Sequence, residues 1–265
     1  MEPRKAIVLC FSGLDATGGA GIQADIEALA AHGCHAASVI TALTVQDTHN
    51  VQSFESVDSH LIVQQARAVL EDMPVAAIKI GMVGNSATAE AIHSILHDYP
   101  DLPVIYDPVL AAGGGAALAQ SSLIDAIKSL LLPLCYLITP NTHELQQLAS
   151  EADTLDAAAM ELLDMGVNYI LATGTHNDTK DVQHQLYANH RCIGNHAYPR
   201  LNHEYHGSGC TLAASVAGLI AQGHETSQAV HRALDYTYKT LQQAQRLGMG
   251  QLIPDRYYWI KHETS

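Results

Sequence analysis

The segment His206-Gly207-Ser208-Gly209-Cys210-Thr211 sets two glycines and a thiol directly ahead of an apolar, small-residue stretch with helical character. Glycine lets the backbone turn tightly and approach a ligand without a Cβ clash. The first free N–H groups of the following helix point out of its N-terminus, where they and the macrodipole favour an anion. A cysteine in that first turn has a pKa that tends to fall. The chemistry these residues suit is an anion hole for a transferring phosphoryl group, with Cys210 beside the attacking hydroxyl. A plain strand-to-helix turn with a packed cysteine has the same residues, so the rest of the chain must decide.

Further residues of chemical interest follow apolar strand-like runs. Gly13, Gly18, Gly19 and Gly21 come after the first run, Gln46 after the second, and Gly81-Met82, Asp107, and Asn141 with Glu144 after later ones. In an open parallel sheet, ligands sit beyond the carboxyl ends of the strands, so these residues share one address. Taken singly, Asp107 and Glu144 also read as helix caps and the early glycines as a turn. Asn141 and Glu144 open a helix, where amide and carboxylate can reach a shared water or cation. Mg²⁺ takes oxygen ligands and keeps several waters, so a single nearby carboxylate suffices. The chain has no G-x-x-x-x-G-K-[ST] loop and no protein-kinase signature set. The 16 histidines suggest metal binding, but the His93/His97 pair lacks a third ligand, and surface histidines are the simpler reading. Cys10, inside an apolar strand, reads as a small core residue.

The elements that must position these residues alternate between strand and helix. Strands are expected at 6–12, 36–44, 51–57, 75–80, 104–106, 136–139 and 169–172, and a hairpin over 183–198 turning near Asn189. Helices are expected at 22–32, 59–71, 86–97, 121–131, 142–149, 155–165, 208–221 and 227–245. Apolar strands with short connections predict a doubly wound α/β layer around a mainly parallel sheet. With no repeat or linker in view, the reading is a single domain over 1–265.

Lys and Arg total 13 and the formal net charge is −14, with no basic cluster. Such a surface repels phosphate backbones and anionic lipid, which argues against nucleic-acid and membrane partners. Five scattered cysteines without C-x-x-C spacing, and a charged start without an apolar leader, predict reduced thiols and a cytoplasmic location.

Together the motifs resemble a hydroxymethylpyrimidine/phosphomethylpyrimidine kinase of thiamine biosynthesis, in the ribokinase-like superfamily. The resemblance runs from about Ile7 to Gly223. It is carried by S-G-x-D-x-x-G-G-A-G-I-Q-A-D (12–25), S-V-I-T-A-L-T-x-Q (38–46), K-I-G-M (79–82), D-P-V (107–109), T-P-N-x-x-E (139–144) and H-G-S-G-C-T (206–211). The cysteine is the most telling feature, because sugar and nucleoside kinases of the superfamily carry an aspartate base there.

The resemblance implies a three-layer α/β/α sandwich with a small antiparallel hairpin, and a homodimer. It implies ATP-dependent phosphorylation of 4-amino-5-hydroxymethyl-2-methylpyrimidine, its monophosphate, or both. It places Gly13, Asp25, Gln46, Met82 and Val109 around the pyrimidine, with Gln46 on a ring nitrogen or the exocyclic amine. Asn141 and Glu144 match the Mg²⁺-phosphate motif, with Asp107 and Glu144 as the metal carboxylates. Gly207, Ser208 and Gly209 form the anion hole, and Cys210 takes or orients a proton. The chain departs from the family where K-G-G-H is common: it has Thr173-Gly174-Thr175-His176. Thr173 thus stands where a lysine is expected on the ATP phosphates, and Lys180 or Lys239 could supply that charge. The loop from Ala111 to Ala117 also lacks the usual lysine and serine. The alternatives are a pyridoxal kinase, whose substrate also carries a hydroxymethyl group on a flat nitrogen heterocycle, and a non-catalytic pyrimidine sensor.

Overall fold

The computed structural model describes residues 5–110, 121–174 and 180–260. One sheet of nine strands runs through it in the order β3-β2-β1-β4-β5-β6-β7-β8-β9. These are β1 (Ile7–Leu14), β2 (His35–Gln46), β3 (Val51–Ser56), β4 (Val75–Ile80), β5 (Val104–Tyr106), β6 (Leu137–Ile138), β7 (Tyr169–Thr173), β8 (Asp181–Ala188) and β9 (Arg191–Pro199). In sheet order, the six strands from β2 to β7 are mutually parallel, whereas β3, and β8 with β9, join antiparallel at the two ends.

Helices α1 (Gly21–Ala31), α7 (Ser208–Ala221) and α8 (Thr226–Gln242) cover one face. Helices α2 (Ser59–Asp72), α3 (Ser86–Asp98), α4 (Ser121–Ala126), α5 (Thr142–Leu148) and α6 (Leu155–Asp164) cover the other. Successive strand side chains point to opposite faces, so each central strand feeds two cores. Leu9 and Phe11 pack toward α2 and α3, while Val8 and Cys10 pack toward α1 and α7. This is the expected three-layer sandwich, and it explains why these strands read as unbroken apolar runs.

Local sequence accounts for most boundaries. Asp58, Asn85, Asn141, Thr154 and Glu225 cap the helices that follow them through side-chain acceptors, relieving the unpaired N–H groups of each first turn. Helix α7 packs close to α1 because its buried face is small: a Cβ on Gly218 would stand 3.0 Å from Leu29. The β8–β9 turn uses Asn189 and His190, both with positive φ (51° and 54°), as a two-residue turn of right-handed twist requires. One expectation needs correcting. The helix expected over 121–131 is α-helical only to Ala126, widens into a π turn over Ile127–Leu131, and tightens into a 3₁₀ turn at Leu132–Leu134. Pro133 has no N–H and its ring collides with the carbonyl four residues back, so regular α-helix cannot reach it. The loop from Ala111 to Ala117 lies outside the described residues.

Candidate active site

A cavity of about 710 Å³ opens at the carboxyl ends of the parallel strands, where the topology of such sheets places ligands. Gly13, Gln46, Met82 and Val109 line one end of it. A register shift between Ser12 and Gly13 bulges the end of β1, and a Cβ on Gly13 would meet the Met82 sulfur at 3.3 Å. Thr44 donates to the Leu14 carbonyl (2.8 Å) and accepts from the Gln46 amide (2.7 Å), so Gln46 is held on a fixed side-chain bond.

Gly207, Ser208, Gly209 and Cys210 line the middle of the cavity. Gly207 is the N-cap of α7 at φ +85°. A Cβ on it would fall 1.9 Å from the Gly19 carbonyl oxygen, so two glycine turns 188 residues apart in the sequence touch backbone to backbone. Asp15 ties them further. Its buried carboxylate accepts from Thr17 N (2.8 Å), Thr17 Oγ1 (2.9 Å) and Ala20 N (2.8 Å), and pairs with His206 Nε2 at 2.8 Å. Burial alone would raise its pKa, but the bonds from His206, Thr17 and Ala20 hold it below the ordinary aspartate value.

Under the cavity floor lies a charged cluster. Lys79 and Asp25 are fully buried. Lys79 Nζ stands 2.9 Å and 3.0 Å from the two Asp25 oxygens and 3.1 Å from Ser12 Oγ, which donates to Asp25 at 2.5 Å. Burial opposes the lysine charge, but Asp25, with Cys210 and Asp107 beyond it, outweighs burial and holds the ammonium above its ordinary pKa. Asp107 accepts from Thr139 Oγ1 (3.3 Å) and from the Cys210 thiol. The expectation of a lowered Cys210 pKa is overturned: burial, reinforced by Asp107 and Asp25, outweighs Lys79 and pushes the thiol up to about 12. The helix N-terminus favours a thiolate, but desolvation in this acidic pocket is the stronger effect.

Asn141 and Glu144 form a capping box. Asn141 Oδ1 accepts from the His143 and Glu144 N–H groups (2.9 and 3.0 Å), and Glu144 Oε2 accepts from Asn141 N (2.9 Å). Both also line the cavity, as does Asp107. Burial first and the neighbouring Asp107 charge second push Glu144 up to about 8, and burial likewise raises Asp107. Two buried carboxylates that repel each other make a place suited to a cation. Among the described residues no group of three or more His, Cys, Asp or Glu side chains is arranged to hold a metal by itself, so an ion here would rely on water and ligand oxygens.

The far end of the cavity is lined by Thr173, His184, Tyr198, Arg200, Leu234 and Tyr238. Of the residues expected to bind, Asp25 is not on the cavity wall but one layer beneath it, in the Lys79 pair. Lys239 is exposed on α8, and Lys180 is exposed ahead of β8; neither lines the cavity. Among the described residues, Arg200 is the lining side chain with a fixed positive charge. Sequence reasoning assigned no role to Lys79, His206, Arg200 or Arg256. Lys79 carried a signal, a charge inside the apolar run Val75–Ile80, and His206 opens the H-G-S-G-C-T motif; Arg200 and Arg256 carried none that local pattern could show.

Residues 15–255 match the family model described as phosphomethylpyrimidine kinase. The chain is 35% identical over 251 residues to the hydroxymethylpyrimidine/phosphomethylpyrimidine kinase of Rhizobium meliloti, covering 93% of this chain and 94% of that one. It is 37% identical over 251 residues to the thiamine biosynthesis bifunctional protein ThiED of Geobacter sulfurreducens, spanning 92% of this chain but 50% of that longer protein. Among solved structures, the phosphomethylpyrimidine kinase of Clostridium difficile superposes with a TM-score of 0.77 at 30% identity, over 89% of this chain and 100% of that one. The pyridoxal kinase of Staphylococcus aureus in complex with pyridoxal superposes with a TM-score of 0.88 at 21% identity, over 98% and 96% of the two chains, a likeness of fold.

Proposed function

The chain belongs to the phosphomethylpyrimidine kinase family, and from that premise we propose that it phosphorylates 4-amino-5-hydroxymethyl-2-methylpyrimidine, its monophosphate, or both, using ATP. One observation carries this reading. Gly13, Gln46, Met82 and Val109 line the same cavity as the glycine-framed N-terminus of α7 and Cys210. A planar heterocycle bound among those four residues brings an exocyclic hydroxymethyl group toward the thiol and the anion hole.

In this reading Gln46 hydrogen-bonds the ring edge while Met82 and Val109 pack on its faces. The N–H groups after Gly207 meet the transferring phosphoryl group, where charge develops. Cys210 orients the attacking oxygen. A neutral thiol is adequate for that task, because phosphoryl transfer proceeds through a loose transition state that rests mainly on positioning and charge neutralisation. Asp107, which accepts the thiol's hydrogen bond, fixes the direction of the Sγ lone pairs. The mutually repelling Asp107 and Glu144 fit Mg²⁺, which when bound supplies charge neutralisation of the phosphates. Arg200, rather than Lys180 or Lys239, takes the part of the lysine that Thr173 replaces. The family further implies a homodimer, with the β8–β9 hairpin as a contact. The net charge of −14 argues against nucleic-acid partners, and among the described residues no helix is long and apolar enough to cross a membrane.

The test is coupled ATP turnover with Mg²⁺, offering the hydroxymethylpyrimidine, its monophosphate and pyridoxal separately. Turnover on either pyrimidine, falling at least tenfold in Cys210→Ala, is the expected result. Turnover on pyridoxal alone, or pyrimidine binding without turnover, would overturn the reading.

A further inference from the structure

Arg256 is the largest of the fully buried side chains, yet it lies near the end of the chain, in a segment without helix or strand. That segment is stitched into the site wall by backbone bonds. Gln251 N donates to Thr48 O (2.8 Å), Leu252 N to Glu204 O (2.9 Å), and His206 N to Leu252 O (2.9 Å). These bonds deliver Arg256 behind the two touching glycine turns. There its guanidinium reaches both of them. Nη1 donates to Gly18 O (3.5 Å) and Nη2 to Gly19 O; Nε donates to Thr211 Oγ1 (2.9 Å). The Thr211 hydroxyl in turn donates to Gly207 O at 2.8 Å. The remaining partner, Glu27 Oε2 at 3.0 Å, is 40% exposed and sits on the outer side.

A buried guanidinium left unpaired is costly, and its planar fork of donors fixes several acceptors in one geometry, which an ammonium cannot do. We infer that Arg256 is a positioning residue that clamps the glycine turn at 18–19 to the first turn of α7, setting the aim of the N–H groups at 207–211. This inference rests on the proposed kinase reading for its effect on rate, but the clamp itself is a property of the fold. Arg256 touches no reacting group. Its influence passes through Gly18, Gly19 and Thr211, and a shift of a fraction of an ångström in a phosphoryl-transfer site is enough to cost rate.

Two variants of the whole chain, Arg256→Lys and Arg256→Gln, separate positioning from bulk stability. Amide hydrogen exchange reads the clamp without any assay of activity. In Arg256→Lys, exchange is expected to rise at least tenfold at both 18–21 and 207–211, with β4 and α3 unchanged. Turnover by the same variant is expected to fall at least tenfold in kcat while the pyrimidine Kd stays within threefold. Glu27→Gln is expected to leave kcat within twofold. Uniform exchange across the chain, or kcat and Kd moving together in step with the fraction unfolded, would reduce Arg256 to a stabilising residue and overturn the inference. Should Arg256→Gln fail to fold, Arg256→Lys, which keeps the charge, decides the matter. Should the wild-type chain itself not turn over, the kinase reading fails, and the two-site exchange pattern still decides the clamp.

Discussion

Removing Lys79 should be the most damaging single change in the site, and more damaging than removing its partner. Lys79 and Asp25 are both fully buried and 2.9 Å apart. Breaking a buried pair by deleting one partner costs about 3–5 kcal/mol, because the other charge is left uncompensated. The two deletions are not equivalent here. Lys79→Met strands Asp25 beside Asp107 and the Cys210 thiol, with Lys79 the cation they share. Asp25→Asn leaves Lys79 still attracted by Asp107, and the amide oxygen that replaces the carboxylate can keep the bond from Ser12. Lys79→Met is therefore expected at the upper end of that range, about 4–5 kcal/mol, and Asp25→Asn at about 2 kcal/mol. The double variant should recover at least about 1 kcal/mol relative to the sum, as coupled neighbours do. Urea unfolding followed by circular dichroism measures all three. With a slope of about 3 kcal/mol/M, the Lys79→Met midpoint should drop by roughly 1.3–1.7 M. A drop corresponding to under about 1 kcal/mol, strict additivity, or Asp25→Asn proving the worse variant would each refute the reasoning. The same pair adds a signature at high pH. Because the folded lysine pKa is raised, its contribution is fully present below about 10.4 and is lost as pH climbs beyond that value.

Other consequences are open to direct measurement. Gly207→Ala places a Cβ 1.9 Å from Gly19 O at φ +85°, whereas Gly33→Ala meets nothing within 4 Å at φ +75°. Gly33→Ala should cost only the left-handed penalty of about 1–2 kcal/mol, and Gly207→Ala should cost more in a thermal melt and lose at least tenfold in kcat; equal effects would refute the contact argument. Burial first, then nearby positive groups, lower the His32 and His184 pKa values to about 4. Between about pH 6.5 and 4 the unfolded chain binds more protons at these sites, so stability should fall on acidification through that window, by at most about 3 kcal/mol per histidine. Urea midpoints at neutral and mildly acidic pH test this, and a His184→Gln variant should show a shallower decline. Arg200→Gln should raise the KM for ATP several-fold with little change for the pyrimidine, and adding Thr173→Lys should restore it; an unaffected KM would remove Arg200 from the nucleotide side.

Much of the architecture is legible in the chain because its signals are local. Continuous apolar runs such as Val104-Ile105-Tyr106 suit strands covered on both faces, and their alternation with amphipathic stretches specifies a sandwich with a parallel sheet. Glycines, Asp107, Asn141, Glu144 and Cys210 each follow a strand, so their convergence on one sheet edge follows from topology alone. The helix expected over 121–131 departs from that expectation because one proline, two residues past its expected end, changes the winding over the preceding turn.

What tertiary structure alone decided concerns charge and distant partners. The motif around Cys210 implies a helix N-terminus and hence a lowered pKa, but the carboxylates and the low-polarity surroundings that reverse the sign come from β1, β4, β5 and α1. Asp25 sits in a motif shared with substrate-facing glycines, yet one helical turn of α1 carries it beneath the floor to Lys79. Lys180 and Lys239 are the candidate cations in the chain, yet both are exposed away from the cavity, and only the path of β9 brings Arg200, which the sequence does not single out, to its wall. Arg256 lies 45 residues beyond Thr211, with nothing in its own neighbourhood to mark it. Local physics writes the elements into the sequence; the energies of burial, pairing and desolvation depend on which elements finally meet.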